Sequence, residues 1–233
     1  MKQAPSFTTQ ESAAKIMGRS FISIEEVLEL FPECKAWVNP KDYKEIPFHR
    51  KTLYGLSAKK FQYVLFPVVP FGHLPKDAKY SDIKATFEKR FPEISAAAVE
   101  RRNNLDLPEP ANLQWLYAVI NYYLSRSFPT EKWYLLSGVV RPAKILVGAK
   151  ECGLVPYKME TSIIYSYAWM LFWYLRGKSI FSAKHFRCGD QFNQKGVAEI
   201  MMQCGDAEIF VGPIRKDQSG NLGRVPSIVP INK

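Results

Sequence analysis

The sequence predicts an α+β protein, with a helical N-terminal and middle part and a small antiparallel C-terminal sheet packed on a buried apolar helix. Two observations predict this class. Apolar residues recur at the helical period in several segments before residue 177, whereas after it they alternate with a period of two. Helices and strands do not alternate regularly along the chain, which disfavours a doubly wound parallel sheet.

The clearest N-terminal element is a helix that begins after Ser23. Ser23 and Glu26 have the spacing of a capping box, in which each side chain accepts a hydrogen bond from the other residue's backbone N–H. Three apolar residues then fall on one side of the helix: Val27, Leu28 and Phe31. Pro32 marks its end, since proline lacks the N–H that a continuing helix needs.

The next segments are predicted to be a loop and a strand. Residues 32–56 show little periodicity and contain three prolines, so we expect irregular structure there. Residues 61–69 are rich in β-branched and aromatic residues and predict a strand. Pro67 and Pro70 place that strand at a sheet edge, or mark its end.

The middle of the chain is predicted to be helical. We expect helices at residues 81–91, 94–102 and 110–127, with a linker at residues 103–110. The linker divides the chain into residues 1–107, a mixed helix and loop region with one strand, and residues 108–233, which contain the apolar helices, the C-terminal meander and an extended tail. A single continuous domain is the alternative.

A strand is predicted at residues 133–140, and an apolar helix at residues 162–175. Thr161 stands at the N-cap of this helix, Arg176 suits its negative C-terminal end, and Gly177 suits the left-handed position that follows. The helix is shorter than the roughly 20 residues that a membrane span needs. We therefore expect it to be buried in the protein, and we expect no membrane partner.

The C-terminal part is predicted to form an antiparallel meander and a tail. The meander consists of residues 185–188, 196–203 and 207–212, with a tight turn at residues 204–206. The tail from Val225 to Ile231 alternates apolar residues with prolines. It is predicted to support self-association by docking on a second copy of the chain, or alternatively to lie on its own domain or to be disordered.

The composition predicts a basic, cytoplasmic protein. The 233 residues carry 32 Lys and Arg against 22 Asp and Glu, a formal net charge of +10. The N-terminal residues contain no apolar stretch of the length that a secretory signal needs. Four cysteines are too few for a disulfide framework in a chain of this length, so we expect buried thiols in a reducing compartment.

Most of the excess charge falls in two basic windows, residues 41–60 and residues 176–195. Both windows contain aromatic residues as well. Cations that neutralise phosphates, and rings on which bases stack, are the two requirements of single-strand and RNA binding. The predicted nucleic-acid or polyanion contacts are Arg50, Lys51, Lys59, Lys60, Arg176, Lys178, Lys184 and Arg187.

The aromatic residues of the windows allow a second interpretation. In residues 185–187 the period of two directs Phe186 to one side of the strand and the two flanking cations to the other, so we expect the ring to point inward. An ordinary basic surface with its aromatic rings in the core fits the same composition, and this alternative stays open.

No short motif predicts an enzyme, a metal site or a cofactor. His185 and Cys188 come closest to a metal pattern, but their odd spacing places them on opposite faces of a strand. The glycine-rich phosphate loops are absent, and Ser137 lacks the flanking glycines of a nucleophile elbow. We expect no catalytic residues, no metal and no cofactor.

The sequence therefore predicts a non-enzymatic basic protein that contacts nucleic acid or another polyanion. An origin in a phage, a virus or a mobile element fits this composition. Two alternatives stay open: a structural or assembly protein that uses its apolar C-terminal tail, and an enzyme of undetermined class.

Overall fold

The structure, a computed structural model, describes residues 7–36, 38–58, 63–69, 132–139, 157–177, 180–181, 185–194, 197–204, 209–215 and 222–230. The helices in these ranges are α1 (Gln10–Met17), α2 (Ile24–Leu30), α3 (Arg50–Ala58) and α4 (Ser162–Arg176). Shorter 3₁₀ helices lie at Gly18–Ser20, Pro32–Ala36 and Pro40–Tyr43. The strands are β1 (Thr8–Thr9), β2 (Glu45–Ile46), β3 (Tyr63–Pro67), β4 (Trp133–Ser137), β5 (Tyr157–Met159), β6 (His185–Gln194), β7 (Val197–Cys204), β8 (Ile209–Arg215), β9 (Gly223–Arg224) and β10 (Pro226–Ile228).

The described strands form three sheets. β1 pairs with β2, a second sheet has the order β3-β4-β10-β5, and a third has the order β8-β7-β6-β9. All pairs are antiparallel except β6 with β9, which is parallel. The predicted mixture of helices and antiparallel sheet is therefore confirmed.

Helix α2 begins as the sequence predicts. The backbone N–H of Glu26 donates to Ser23 Oγ at 3.1 Å, and the N–H of Ser23 donates to Glu26 Oε2 at 2.8 Å. This reciprocal pair satisfies two of the N–H groups that a helix start leaves without partners. The predicted inward side chains Val27, Leu28 and Phe31 are all buried.

The prediction of irregular structure for residues 32–56 is wrong over its last part, where α3 forms. Few apolar residues mark the helical period in α3, so the pattern does not predict a helix. Leu53 is fully buried and Leu56 is partly buried. α3 packs against α1, and this non-local packing stabilises a helix that local pattern does not predict.

The strands predicted at residues 61–69 and 133–140 are confirmed as β3 and β4. β3 and β4 pair from Tyr63 opposite Ser137 to Pro67 opposite Trp133, and every residue of both strands is buried. β3 is an edge strand of its sheet in the described chain, and Pro67 is its last residue. A proline at this position removes no hydrogen bond from an inner ladder.

The C-terminal tail is built into the same sheet. β10 lies between β4 and β5, and Val225, Ser227 and Ile228 are buried. Pro226 is the first residue of the strand, a position that a residue without an N–H can occupy. Self-association through the segment from Val225 to Ile231 stays a prediction, and it would require β10 to leave its own sheet.

The apolar helix α4 has the predicted ends. Thr161 is the N-cap residue, although its side chain makes no capping hydrogen bond, and Gly177 follows the helix with φ of 65°. Left-handed backbone of this kind costs glycine little, since it has no Cβ. In the described part of the chain no helix combines the length and the apolar character that crossing a membrane requires.

The phenolic oxygen of Tyr165 joins α4 to two neighbouring segments. It accepts a hydrogen bond from the backbone N–H of Glu160 at 2.9 Å and donates one to the carbonyl of Val225 at 2.6 Å. Its ring contacts Phe186 edge-on, with the centroids 5.1 Å apart. One buried side chain thus connects the end of β5, the start of β10 and β6.

The predicted C-terminal meander is confirmed, with β6 and β8 longer than expected. β6 pairs with β7 and β7 with β8, both antiparallel, while most of the turn predicted at residues 204–206 lies outside the described residues. Phe186 and Cys188 are both buried, as the period of two requires. Cys34 and Cys188 are buried.

Several expectations fall on residues that the structure does not describe. They are the helices at residues 81–91, 94–102 and 110–127 and the linker at residues 103–110. The division of the chain at residue 107 therefore stays a prediction.

We predict that Tyr165→Phe lowers the free energy of unfolding by about 1–3 kcal/mol, because it leaves a buried N–H and a buried carbonyl without their partner. Urea denaturation measures the change. The control is Tyr54→Phe, which removes a hydroxyl from an exposed ring and should change stability by less than about 0.5 kcal/mol. Equal effects of the two substitutions would contradict the proposed role of Tyr165.

Two glycines should respond to alanine with opposite signs. At Gly189 a Cβ would stand 2.7 Å from the carbonyl oxygen of Met159, whereas at Gly55 it would meet nothing within 4 Å beyond its chain neighbours. We predict that Gly189→Ala destabilises the fold by about 1–3 kcal/mol through overpacking. Gly55→Ala should stabilise it by about 0.5–1 kcal/mol, since alanine favours an exposed helix. Thermal unfolding of both variants tests the pair.

Candidate functional site

The structure describes four of the eight predicted contact residues. Arg50 and Lys51 form the start of α3, Arg176 is the last residue of α4, and Arg187 lies on β6. The other four lie outside the described residues: Lys59, Lys60, Lys178 and Lys184.

The start of α3 presents an exposed cationic surface. Arg50, Lys51, Tyr54 and Gly55 are all exposed, and we call these four residues the α3 face. Helix α3 contains no Asp or Glu. Across the described ranges, no carboxylate lies within ion-pair distance of Arg50 or Lys51. The two charges therefore face solvent without a described counterion.

Arg50 and Lys51 lie at the end of α3 where the helix dipole disfavours positive charge. The N-terminal end of a helix is positive, and an acidic residue in its first turn is stabilising. α1 has Glu11 there and α2 has Glu25 and Glu26, whereas the first turn of α3 has no acidic residue. The helix dipole therefore does not favour Arg50 and Lys51 at this position.

Tyr54 lies one helical turn after Arg50 and contacts it. The guanidinium carbon of Arg50 is 5.5 Å from the ring centroid, and an Arg50 Nη atom donates to the Tyr54 hydroxyl at 3.3 Å. Of the large apolar side chains that the structure describes, Tyr54 is the exposed one, at 48%. A cation and an accessible ring thus stand together on one surface.

Four other aromatic residues of the windows belong to the core. Tyr43, Phe48, Phe181 and Phe186 are buried. The Tyr43 hydroxyl donates to the carbonyl of Val68 at 2.9 Å, and burial, with smaller contributions from Asp42 and Cys34, raises its pKa to about 12. For these four rings the alternative interpretation of core packing is correct, and among the described rings of the windows only Tyr54 fits a binding surface.

Lys132 is a cation of this region that the sequence did not indicate. Its Nζ is 3.7 Å from Asp42 Oδ2 and 5.4 Å from the ring centroid of Tyr43. Asp42 is one of the two carboxylates of the first basic window, and it is paired with a lysine from outside that window. Since Lys132 is 90 residues away in the chain, no local pattern could have shown this pairing.

Arg176 is held by the fold. Its Nε donates to the carbonyl of Arg19 at 3.1 Å, one Nη donates to the carbonyl of Phe21 at 2.7 Å, and the other lies 2.7 Å from Glu26 Oε1. All three nitrogens have partners, and the side chain is only 13% exposed. This geometry favours a clamp between α4 and the N-terminal helices over a phosphate contact.

Arg187 is half-buried and stands beside a second arginine. It is in register with Arg224 on the parallel strand β9, and the sequence did not indicate this pairing. The neighbouring Phe186 contacts Tyr165 in the first turns of α4, whereas Arg176 is the last residue of that helix. A helix of 15 residues is about 22 Å long. The second basic window is therefore spread along α4.

The ion pair between Arg176 and Glu26 changes the acidity of the carboxyl group. Burial by itself raises the pKa of Glu26, but the hydrogen bonds from Arg176 and Ser23 and the charge of Arg176 outweigh it, so the pKa lies below its ordinary value. Such a group stabilises the fold above its unfolded pKa, and this contribution is lost as the pH falls through the folded pKa.

Within the described ranges, no group of three or more His, Cys, Asp or Glu side chains is placed to hold a metal ion. Cys188 is buried on the inner side of β6.

We predict that Glu26→Gln lowers the free energy of unfolding at pH 7 by about 1.5–3 kcal/mol, the usual contribution of a charge-assisted hydrogen bond. The difference from the unmodified chain should begin to narrow near the ordinary glutamate pKa of about 4.3, and it should be lost as the pH falls through the lower pKa of Glu26 in the folded chain. Glu29→Gln on the exposed side of the same helix is the control and should have little effect at any pH. Urea denaturation between pH 3 and 7 measures both; a constant difference would contradict the assignment.

Comparison with known proteins adds no relative to this picture. No family model, no curated protein and no solved structure matches the chain. The function must therefore be argued from the charge and geometry of the described residues.

Proposed function

We propose that this chain is a non-enzymatic nucleic-acid-binding protein that contacts phosphates through the α3 face. The observation that carries the proposal is the exposed pair Arg50 and Lys51, which has no described counterion and stands at the helix end where cations are least favourable. A bound phosphate would supply the missing negative charge and release counterions from the nucleic acid.

The surroundings of the α3 face support the proposal. Lys41 and Lys44 are exposed in the preceding segment. The same segment has two exposed carboxylates, of which Asp42 is paired with Lys132 and Glu45 lies on β2. An excess of positive charge on a surface raises the local concentration of a negatively charged ligand and speeds its association.

The remaining predicted contacts keep their place in the proposal. Lys59 and Lys60 follow α3 in the chain, and Lys178 and Lys184 follow α4. Arg187, with Arg224 in register, is proposed as a contact separate from the α3 face. Arg176 is better explained as a clamp, because its nitrogens already have partners.

We also infer that the sheet of β6–β9 packs on α4 as the sequence predicts. The ring contact of Tyr165 with Phe186 supports this arrangement. The low cysteine content, four in 233 residues, supports a reducing compartment such as the cytoplasm. The assembly alternative has less support, since the segment from Val225 to Ile228 is already covered within the chain.

The proposal is tested by the double variant Arg50→Gln with Lys51→Gln. Each phosphate contact contributes about −0.7 to −0.9 to the slope of log K against log salt, so losing two should make the slope shallower by about 1.5. Stability should not fall, since the two cations oppose the helix dipole. Fluorescence anisotropy with a labelled oligonucleotide at several salt concentrations measures the slope.

The matched control removes the same charge elsewhere. Lys15→Gln with Lys35→Gln alters two exposed lysines outside the α3 face. This control should keep the original slope and most of the affinity. Equal losses in both double variants would show that net charge alone attracts the ligand, and absence of binding at low salt in the unmodified chain would refute the proposed function.

A further inference from the structure

We infer that the α3 face selects single-stranded nucleic acid, with one base stacked on Tyr54. This inference rests on the proposed function and goes further, because it distinguishes a strand with accessible bases from a duplex or a polyanion without bases. It is carried by the exposure of Tyr54 and by what surrounds its ring.

The ring of Tyr54 lies outside the side of α3 that packs on the core. Its neighbour Leu53 supplies the fully buried contact of the helix, and Tyr54 remains 48% exposed. The aromatic side chains of the core cluster, by contrast, are buried or pack against buried residues, as Trp169 and Trp173 do. An aromatic ring that solvent reaches offers a flat apolar surface to a ligand.

Arg50 holds this ring in place. Its guanidinium lies 5.5 Å from the ring centroid, and its hydrogen bond to the phenolic oxygen adds a second point of contact. A side chain already held in one orientation loses less entropy when a ligand binds. The cation also strengthens a stack that includes the ring, through its attraction to the π electrons.

The surface beside Tyr54 is open. Gly55 has no side chain, and apart from its chain neighbours and the backbone of its own helix nothing lies within 4 Å of the position that a Cβ would occupy. A planar base can therefore approach the helix here without meeting a side chain from residue 55. Lys51, three residues before Tyr54, is on the same part of the helix surface and is available to an adjacent phosphate.

This combination fits a single strand better than a duplex. In a duplex the base faces are stacked on each other, whereas a single strand presents them to an aromatic side chain. Every base has such a face, so we expect little sequence preference. The phosphates bind Arg50 and Lys51 as in the proposed function, and the base on Tyr54 adds the discrimination.

The test compares three ligands with the same number of phosphates: an oligo-thymidine strand, an abasic strand and a duplex. The unmodified chain should bind the thymidine strand most tightly. Tyr54→Leu should weaken that binding by roughly 5- to 100-fold, the usual range for loss of one base stack, and should leave the abasic affinity almost unchanged. Tyr54→Phe keeps a ring and should retain most of the affinity.

The outcomes separate this inference from the proposed function. If Tyr54→Leu weakens thymidine and abasic strands equally, or has no effect, while the Arg50 and Lys51 double variant still loses affinity, the stacking inference is refuted and the proposed function stands. Tighter binding of the duplex would also refute it. If the unmodified chain binds none of the three ligands, the proposed function itself fails. Thermal unfolding of each variant confirms that the fold is retained, as an exposed position predicts.

Discussion

The hydroxyl of Tyr165 is the interaction on which the arrangement of the described segments depends most. In one buried place it accepts from the N–H of Glu160 and donates to the carbonyl of Val225. Backbone groups that enter a core must find partners there, since an unmet N–H or carbonyl costs as much as a lost hydrogen bond. By satisfying one of each, Tyr165 allows the end of β5 and the start of β10 to meet against α4.

The C-terminal end of helix α4 is held to the N-terminal segment by hydrogen bonds and an ion pair of Arg176. At its far end Arg176 binds the carbonyls of Arg19 and Phe21 and the carboxylate of Glu26. Arg19 directly follows α1, and α1 packs against α3. The candidate binding surface is therefore connected to the core through a short series of contacts. Arg176 completes this series, and its contacts within the fold make it unavailable to a ligand.

Local chemistry could be predicted from the sequence, and distant pairing could not. The capping box of Ser23 and Glu26 and the glycine after α4 act within one helical turn, so their residues reveal them. Arg176 was expected to meet phosphate because its partner Glu26 is far away in the chain. For α3 the pattern failed, since packing on α1 decides its conformation. At the candidate site the sequence predicts the cations of α3. It does not predict that Tyr54 is exposed, because this depends on which aromatic rings of the window are buried in the core.

The position of β10 has a consequence for how the protein is made. β4 and β5 flank β10, yet β5, α4 and strands β6–β9 all separate β4 from it along the chain. During synthesis β4 and β5 are therefore made before β10. Until β10 is made, the backbone N–H and C=O groups that will pair with it are unsatisfied, and other chains can pair with them. Contacts between distant segments also slow folding, because a long loop must close before they form. A nascent chain of this protein is most exposed to aggregation in that interval, when shielding of its apolar strands by a chaperone would matter most.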